Sequence, residues 1–110
     1  MELARGIIRR RVALRARHLH TMQTRYVELT NRYGLHARAC ARIVQVASRF
    51  RCSISLVCKG RRASARSMLA VMLLAASVGT TISVETSGPD EAEAMKAMVQ
   101  LIADQFGEER

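Results

Sequence analysis

Apolar and polar residues alternate in several short stretches of this chain, follow a helical period in two longer ones, and give way once to a uniformly apolar run. Residues 25–30 (RYVELT) alternate around Tyr26, Val27 and Leu29, which predicts a strand. From Ala37 to Phe50 the period lengthens. Cys40, Ile43, Val44, Ala47 and Phe50 recur every three or four residues, whereas Arg38, Arg42, Gln45 and Arg49 lie largely outside that stripe. This is an amphipathic helix with a basic outer side. Residues 53–58 (SISLVC) alternate again, Lys59-Gly60 signals a turn, and 61–65 returns as a weaker strand, together a hairpin. Ser67, a favoured helix cap, precedes the apolar run 68–76, read as a short and largely buried helix. Residues 80–86 are rich in β-branched side chains and predict a strand, which Gly88-Pro89 breaks. Asp90, Glu91 and Glu93 then crowd the start of a last helix, where negative charge complements the dipole. Its stripe is Met95, Met98, Val99, Ile102 and Phe106, and Gly107 ends it.

The order β-α-β-β-α-β-α predicts an α+β domain: a single four-stranded sheet with three helices packed on one face. A chain of 110 residues has room for one such domain. With only Tyr26, Tyr33, Phe50 and Phe106 as aromatics, the core must be built from aliphatic side chains, Met and Ala.

Charge divides the chain. Of the net +9, residues 1–21 carry +5 through Arg5, Arg9, Arg10, Arg11, Arg15 and Arg17 against Glu2, which leaves +4 on residues 22–110. The expected organisation is a basic N-terminal extension over 1–21 and one domain over 22–110. The extension has no core partner. It reads as a disordered tail, or as upstream sequence included by a wrongly chosen start, Met22 being a natural one. Its arginines interrupt any secretory-type apolar core, and no apolar run reaches the ~18 residues of a membrane span. Cys40, Cys52 and Cys58 form no C-x-x-C pair, so reduced structural thiols in a cytoplasmic protein are expected, with no disulfide framework and no zinc site. His18 and His20 have no further ligands beside them and are assigned no role.

The segment with the most chemistry is NRYGLHARACARIV, residues 31–44. His36 falls where loop becomes helix, where free backbone N–H groups and the dipole attract anions, phosphate especially. Arg38 can add a guanidinium fork, and Gly34 permits a tight turn beforehand. A positive surrounding favours the neutral, nucleophilic imidazole and would then stabilise a phosphoryl group on it. On composition and spacing alone, a capping or solvated histidine stays the commoner reading.

A resemblance changes that balance. GLHAR at 34–38 resembles the G-[LI]-H-[AT]-R-P motif of the HPr family of the bacterial phosphotransferase system. ARSMLAVMLLAA at 65–76 resembles the family's second signature, and GTTISVETSGPDEAEAM at 79–95 resembles its last strand, turn and helix. The resemblance spans about residues 24–108. It implies an open-faced β-sandwich and a phosphocarrier, a relay component rather than an enzyme in the strict sense. His36 would accept a phosphoryl group on Nδ1 from enzyme I, with phosphoenolpyruvate as ultimate source, and pass it to a IIA-type protein of a sugar or nitrogen branch. Arg38 would hold the phosphoryl group. Met68, Leu69 and Met72, with Arg42, would serve partner docking. Ser67 matches a serine that an HPr kinase/phosphatase modifies in some members, although a plain N-cap is the commoner role for such a serine. No cofactor, metal or membrane insertion is implied, and a monomer is expected.

Ala39 departs from the family's proline. Alanine is a good helix former and removes no reactive group, so a slightly less rigid but working site is expected. Two alternatives remain. A purely regulatory relative would often lack the histidine. A nucleic-acid-binding α/β module would suit the positive charge, but needs stacking aromatics, and only Tyr26 lies on a predicted strand.

Overall fold

A computed structural model describes residues 22–108. The readings of residues 1–21, including His18, His20 and the start site, lie outside the described residues. The elements are β1 (Met22–Glu28), α1 (Ala37–Ala47), β2 (Ser53–Cys58), β3 (Arg61–Ser64), α2 (Met68–Leu73), β4 (Thr81–Ser87) and α3 (Glu91–Ala103), followed by a 3₁₀ turn at Gln105–Gly107. Element order and class are those expected. The four strands form one antiparallel sheet in the order β1-β4-β2-β3.

Strand alternation sorts the sheet into two faces. Ile54, Leu56, Cys58, Ala63, Ile82, Val84 and Thr86 are buried on one side together with Ala39, Cys40, Ile43, Ala47, Met95, Met98 and Ile102 of α1 and α3. Each fully buried Leu or Ile contributes about 1.5–3 kcal/mol. On the other side the cross-strand pairs Tyr26↔Ser83 and Val57↔Arg62 face outward, and Arg62 pairs with Glu85 across β2. Val57 in β2 is half-buried and Tyr26 in β1 is exposed there, so the sheet is open-faced as expected.

Several boundaries move, each for a local reason. β1 starts at Met22 because pairing with β4 continues to Ser87, and Leu29 leaves the strand while its N–H still bonds the Thr80 carbonyl at 2.9 Å. α1 stops at Ala47. There the Ser48 hydroxyl joins its amide on the Val44 carbonyl, and the following amides, of Arg49 and Phe50, tighten to the i−3 carbonyls of Val46 and Ala47. Phe50 therefore packs half-buried from the following turn rather than from the helix.

The run 68–76 needs the largest correction. Only 68–73 is helical, and only Val71 within it is buried. Met68 (39% exposed), Leu69 (69%), Met72 (39%) and Leu73 (62%) face solvent, so the helix is not largely buried. A six-residue helix has one inward face, and the positive φ of Ala75 (51°) ends it. Leu74 and Ala76 then enter the core as loop residues. The Ser67 cap is present: its hydroxyl accepts from the Ala70 amide at 3.3 Å.

At α3, Glu91 and Glu93 stand in the first turn as expected, but Asp90 works differently. Asp90 occupies the N-cap without capping. Its carboxylate accepts from the amides of Arg51 (2.8 Å) and Cys52 (2.9 Å), tying the turn before β2 to the start of α3. The Arg51 amide foremost, and the Cys52 amide and thiol, hold the Asp90 carboxyl below its ordinary value of 3.8, against a smaller opposing effect of burial. A depressed carboxylate contributes stability that is present above the unfolded value and lost as pH falls through the folded one. Melting curves of parent and Asp90→Asn should therefore differ at neutral pH and converge below pH 3.8. A gap of constant size down to strong acid would rule out this linkage.

The three cysteines are free and buried. Burial pushes the thiols of Cys40 and Cys52 up to about 11.

Candidate functional site

His36 is the N-cap of α1, in extended conformation (φ −81°, ψ 175°), and no side chain caps the helix. Its own N–H donates to the Gly34 carbonyl (3.0 Å), and its carbonyl accepts from the Cys40 amide (2.9 Å). The amides of Ala37, Arg38 and Ala39 are then the donors that a helix start leaves without intrahelical partners. The His36 side chain is 29% exposed, so the ring is open to solvent and to a partner.

The turn before it is fixed by close backbone packing. Gly34 has φ +58°, and an added Cβ would land on the Ala76 carbonyl oxygen and 2.9 Å from the Ser77 Cα. The Leu35 amide bonds that same carbonyl at 2.9 Å. Buried Asn31 donates from Nδ2 to the Gly34 carbonyl at 2.8 Å. Asn31, Gly34 and the 76–77 backbone thus set the direction from which His36 enters the helix.

A cavity of about 770 Å³ opens at this point, lined by Tyr33, His36, Arg38, Gly107 and Glu108. Arg38 is exposed and makes no ion pair among the described residues, so its guanidinium is available to an anion. Tyr33 meets the imidazole edge-on, with ring centroids 5.7 Å apart. Glu108 was not anticipated. Its carboxylate bonds His36 Nε2 and accepts from Asn31 Nδ2. The purely positive surrounding expected of the site is corrected accordingly: one side of the ring faces backbone amides and Arg38, the other a carboxylate. No local spacing could have revealed this, since Glu108 lies 72 residues from His36, beyond the glycine expected to end the chain's last helix.

The remaining predicted residues divide. Ala39, where the family has proline, is fully buried in the first turn of α1. Cys40 is fully buried, its thiol directed to the Leu35 carbonyl at 3.4 Å. Burial keeps it protonated, which removes it as a nucleophile. Arg42 stands apart from the ring, its guanidinium beside Gly107, and lines a separate groove between α1 and α3. Ser67, Met68, Leu69 and Met72 lie on α2, which packs against α1 and leaves these four side chains exposed.

An open histidine at an uncapped helix start, with an arginine two residues on, suits transient phosphorylation. The family model described as the PTS HPr component phosphorylation site matches residues 23–104. The chain belongs to the HPr family.

It is a phosphocarrier of the phosphotransferase system, a relay protein that works through a phosphohistidine. The phosphocarrier protein HPr of Cupriavidus necator is 46% identical over 87 residues, covering 79% of this chain and 98% of that protein. The HPr of Xylella fastidiosa is 48% identical over 81 residues, covering 74% and 91%. Among solved structures, an HPr from Thermoanaerobacter tengcongensis superimposes with a TM-score of 0.77 at 39% identity, over 80% of this chain and 99% of that one. HPr proteins therefore match this chain in sequence and in fold along nearly their whole length.

Proposed function

We propose that His36 is the phosphohistidine of this HPr, accepting the phosphoryl group on Nδ1 from enzyme I and passing it to a IIA-type protein. One observation carries the reading: residues 23–104, which match the phosphorylation-site model, contain a single histidine, and it is the solvent-open N-cap of α1. Arg38, exposed at the rim of the same cavity, holds the phosphoryl oxygens together with the first-turn amides. Residues 22–110 are the working domain and 1–21 an extension outside it. Three free, buried thiols suit a cytoplasmic setting. The test is direct. Incubated with phosphoenolpyruvate, magnesium and enzyme I, the protein should gain one acid-labile phosphoryl group, which a IIA protein then removes. No label, or label on a hydroxyl side chain, would overturn the assignment.

Docking falls to the exposed apolar face of α2, Met68, Leu69 and Met72, with Arg42 contributing from the α3-facing side of α1, the helix against which α2 packs. Such a face buries apolar area on a partner while arginines steer an acidic one. Leu69→Asp should weaken enzyme I binding at least about tenfold, measured by calorimetry, because a central apolar anchor commonly carries over 1 kcal/mol. Stability should change by less than about 0.5 kcal/mol, since the side chain is already exposed. Equal losses in both would make α2 structural only. Ser67, exposed at the head of the same helix, is a modification site for an HPr kinase/phosphatase. A phosphate there would put negative charge beside the docking face and repel an acidic partner.

A further inference from the structure

We propose that Glu108 is a positioning residue for the relay: it binds the Nε2–H of His36 and leaves Nδ1 as the nucleophile. The proposal rests on the reading of His36 as the phosphoryl acceptor. An ionised carboxylate only accepts hydrogen bonds, so a ring nitrogen bonded to it must carry the proton. A neutral imidazole has one N–H. With Nε2 protonated, the lone pair is on Nδ1.

Glu108 is held for this role. Its side chain is only 10% exposed, and both carboxylate oxygens lie 3.3 Å from Asn31 Nδ2. Asn31 is itself 1% exposed and donates to the Gly34 carbonyl, which also receives the His36 amide. The Glu108 amide closes the 3₁₀ turn on the Gln105 carbonyl at 3.0 Å. The C-terminal turn and the loop before α1 are therefore clamped to each other around one imidazole.

The chemistry uses this arrangement. The Nδ1 lone pair attacks the phosphorus of the donor's phosphoramidate. The new N–P bond forms as the donor's N–P bond breaks, and that electron pair returns to the donor nitrogen. The His36 ring gains a positive charge, its Nε2 proton stays in the bond to Glu108, and the carboxylate offsets the charge. Delivery to the acceptor runs the same steps in reverse. No proton need enter or leave the site.

The experiment uses the full chain, Glu108→Ala and Glu108→Gln, with ¹⁵N ring spectra of His36 and steady-state phosphorylation by enzyme I. The parent should show the Nε2–H tautomer with a slowly exchanging ring proton. Glu108→Ala should lose that proton signal and about tenfold in kcat, with KM within about twofold. Glu108→Gln, whose amide oxygen still accepts, should keep the signal and recover part of kcat, and it decides the matter if the alanine variant folds poorly. Parent-like ring spectra and kcat in Glu108→Ala would overturn the proposal, as would a loss confined to KM. A glutamine variant without the ring signal would do the same. His36→Ala separates the two readings. If it still takes label, the acceptor assignment fails; if it is inert while Glu108→Ala behaves as the parent, only the positioning role falls.

Discussion

Replacing His36 by alanine should reduce phosphoryl acceptance from enzyme I by at least about 10³-fold, because among the described residues no other imidazole can form the covalent intermediate. The other imidazoles, His18 and His20, lie outside the matched residues 23–104. The nearby thiol of Cys40 is buried and protonated. The hydroxyl of Ser67 is exposed, but a phosphoserine is not acid-labile and would be told apart in the same gel. The fold should hardly notice the change. His36 contributes to α1 through its backbone amide and carbonyl, not through a side-chain cap, and alanine retains both bonds. The cost is the ring's contacts with Tyr33 and Glu108, about 1 kcal/mol or less at a site this open. Autoradiography with labelled phosphoenolpyruvate and a thermal melt of the same sample measure both halves. A folded His36→Ala protein that still takes an acid-labile phosphoryl group would remove the acceptor assignment.

The sequence carried the fold wherever one period dominated. β2 was legible to the residue because Ile54, Leu56 and Cys58 alternate with Ser53, Ser55 and Val57 between clear turn signals. Predictions slipped where the bonding pattern leaves the period. α1 closes early as the amides of Arg49 and Phe50 tighten to i−3 carbonyls, and Asp90 turns its carboxylate from α3 to the amides of Arg51 and Cys52 across the chain. A uniformly apolar run such as 68–76 has no polar face to orient it. Periodicity could not say that Leu69 points outward, which only the resemblance to a family with a docking surface there implied, and nothing marked Leu73. At the site, His36, Arg38 and Gly34 were legible because they lie within five residues. Asn31 was legible only as the start of the segment 31–44. Tyr33 and Glu108 were not, since an edge-on ring has no sequence signature and a carboxylate brought back by a turn through Phe106 at φ +58° has no local one.

Gly34→Ala should be the most damaging single methyl in the molecule's active region. Two costs combine. At φ +58° an alanine gives up roughly 1 kcal/mol to its own backbone. Its Cβ then meets the Ala76 carbonyl and the Ser77 Cα, backbone atoms with no flexible end to swing aside, so the segment entering from α2 must shift. That shift loosens the Leu35 amide to Ala76 carbonyl bond, for a total of about 3 kcal/mol. In a domain of this size each kcal/mol lowers Tm by about 4–8 °C, so a fall of about 15 °C is expected by circular dichroism. Gly60→Ala supplies the comparison. Gly60 also has positive φ (+80°), but nothing lies within 4 Å of an added Cβ, so only the conformational cost of about 1 kcal/mol applies. The Gly34 carbonyl also anchors the His36 amide and Asn31 Nδ2, so phosphoryl transfer should drop in the fraction that stays folded, whereas Gly60→Ala should transfer normally. Equal losses of stability in the two variants would mean that the 76–77 backbone yields freely, and that the loop before α1 is not held by it.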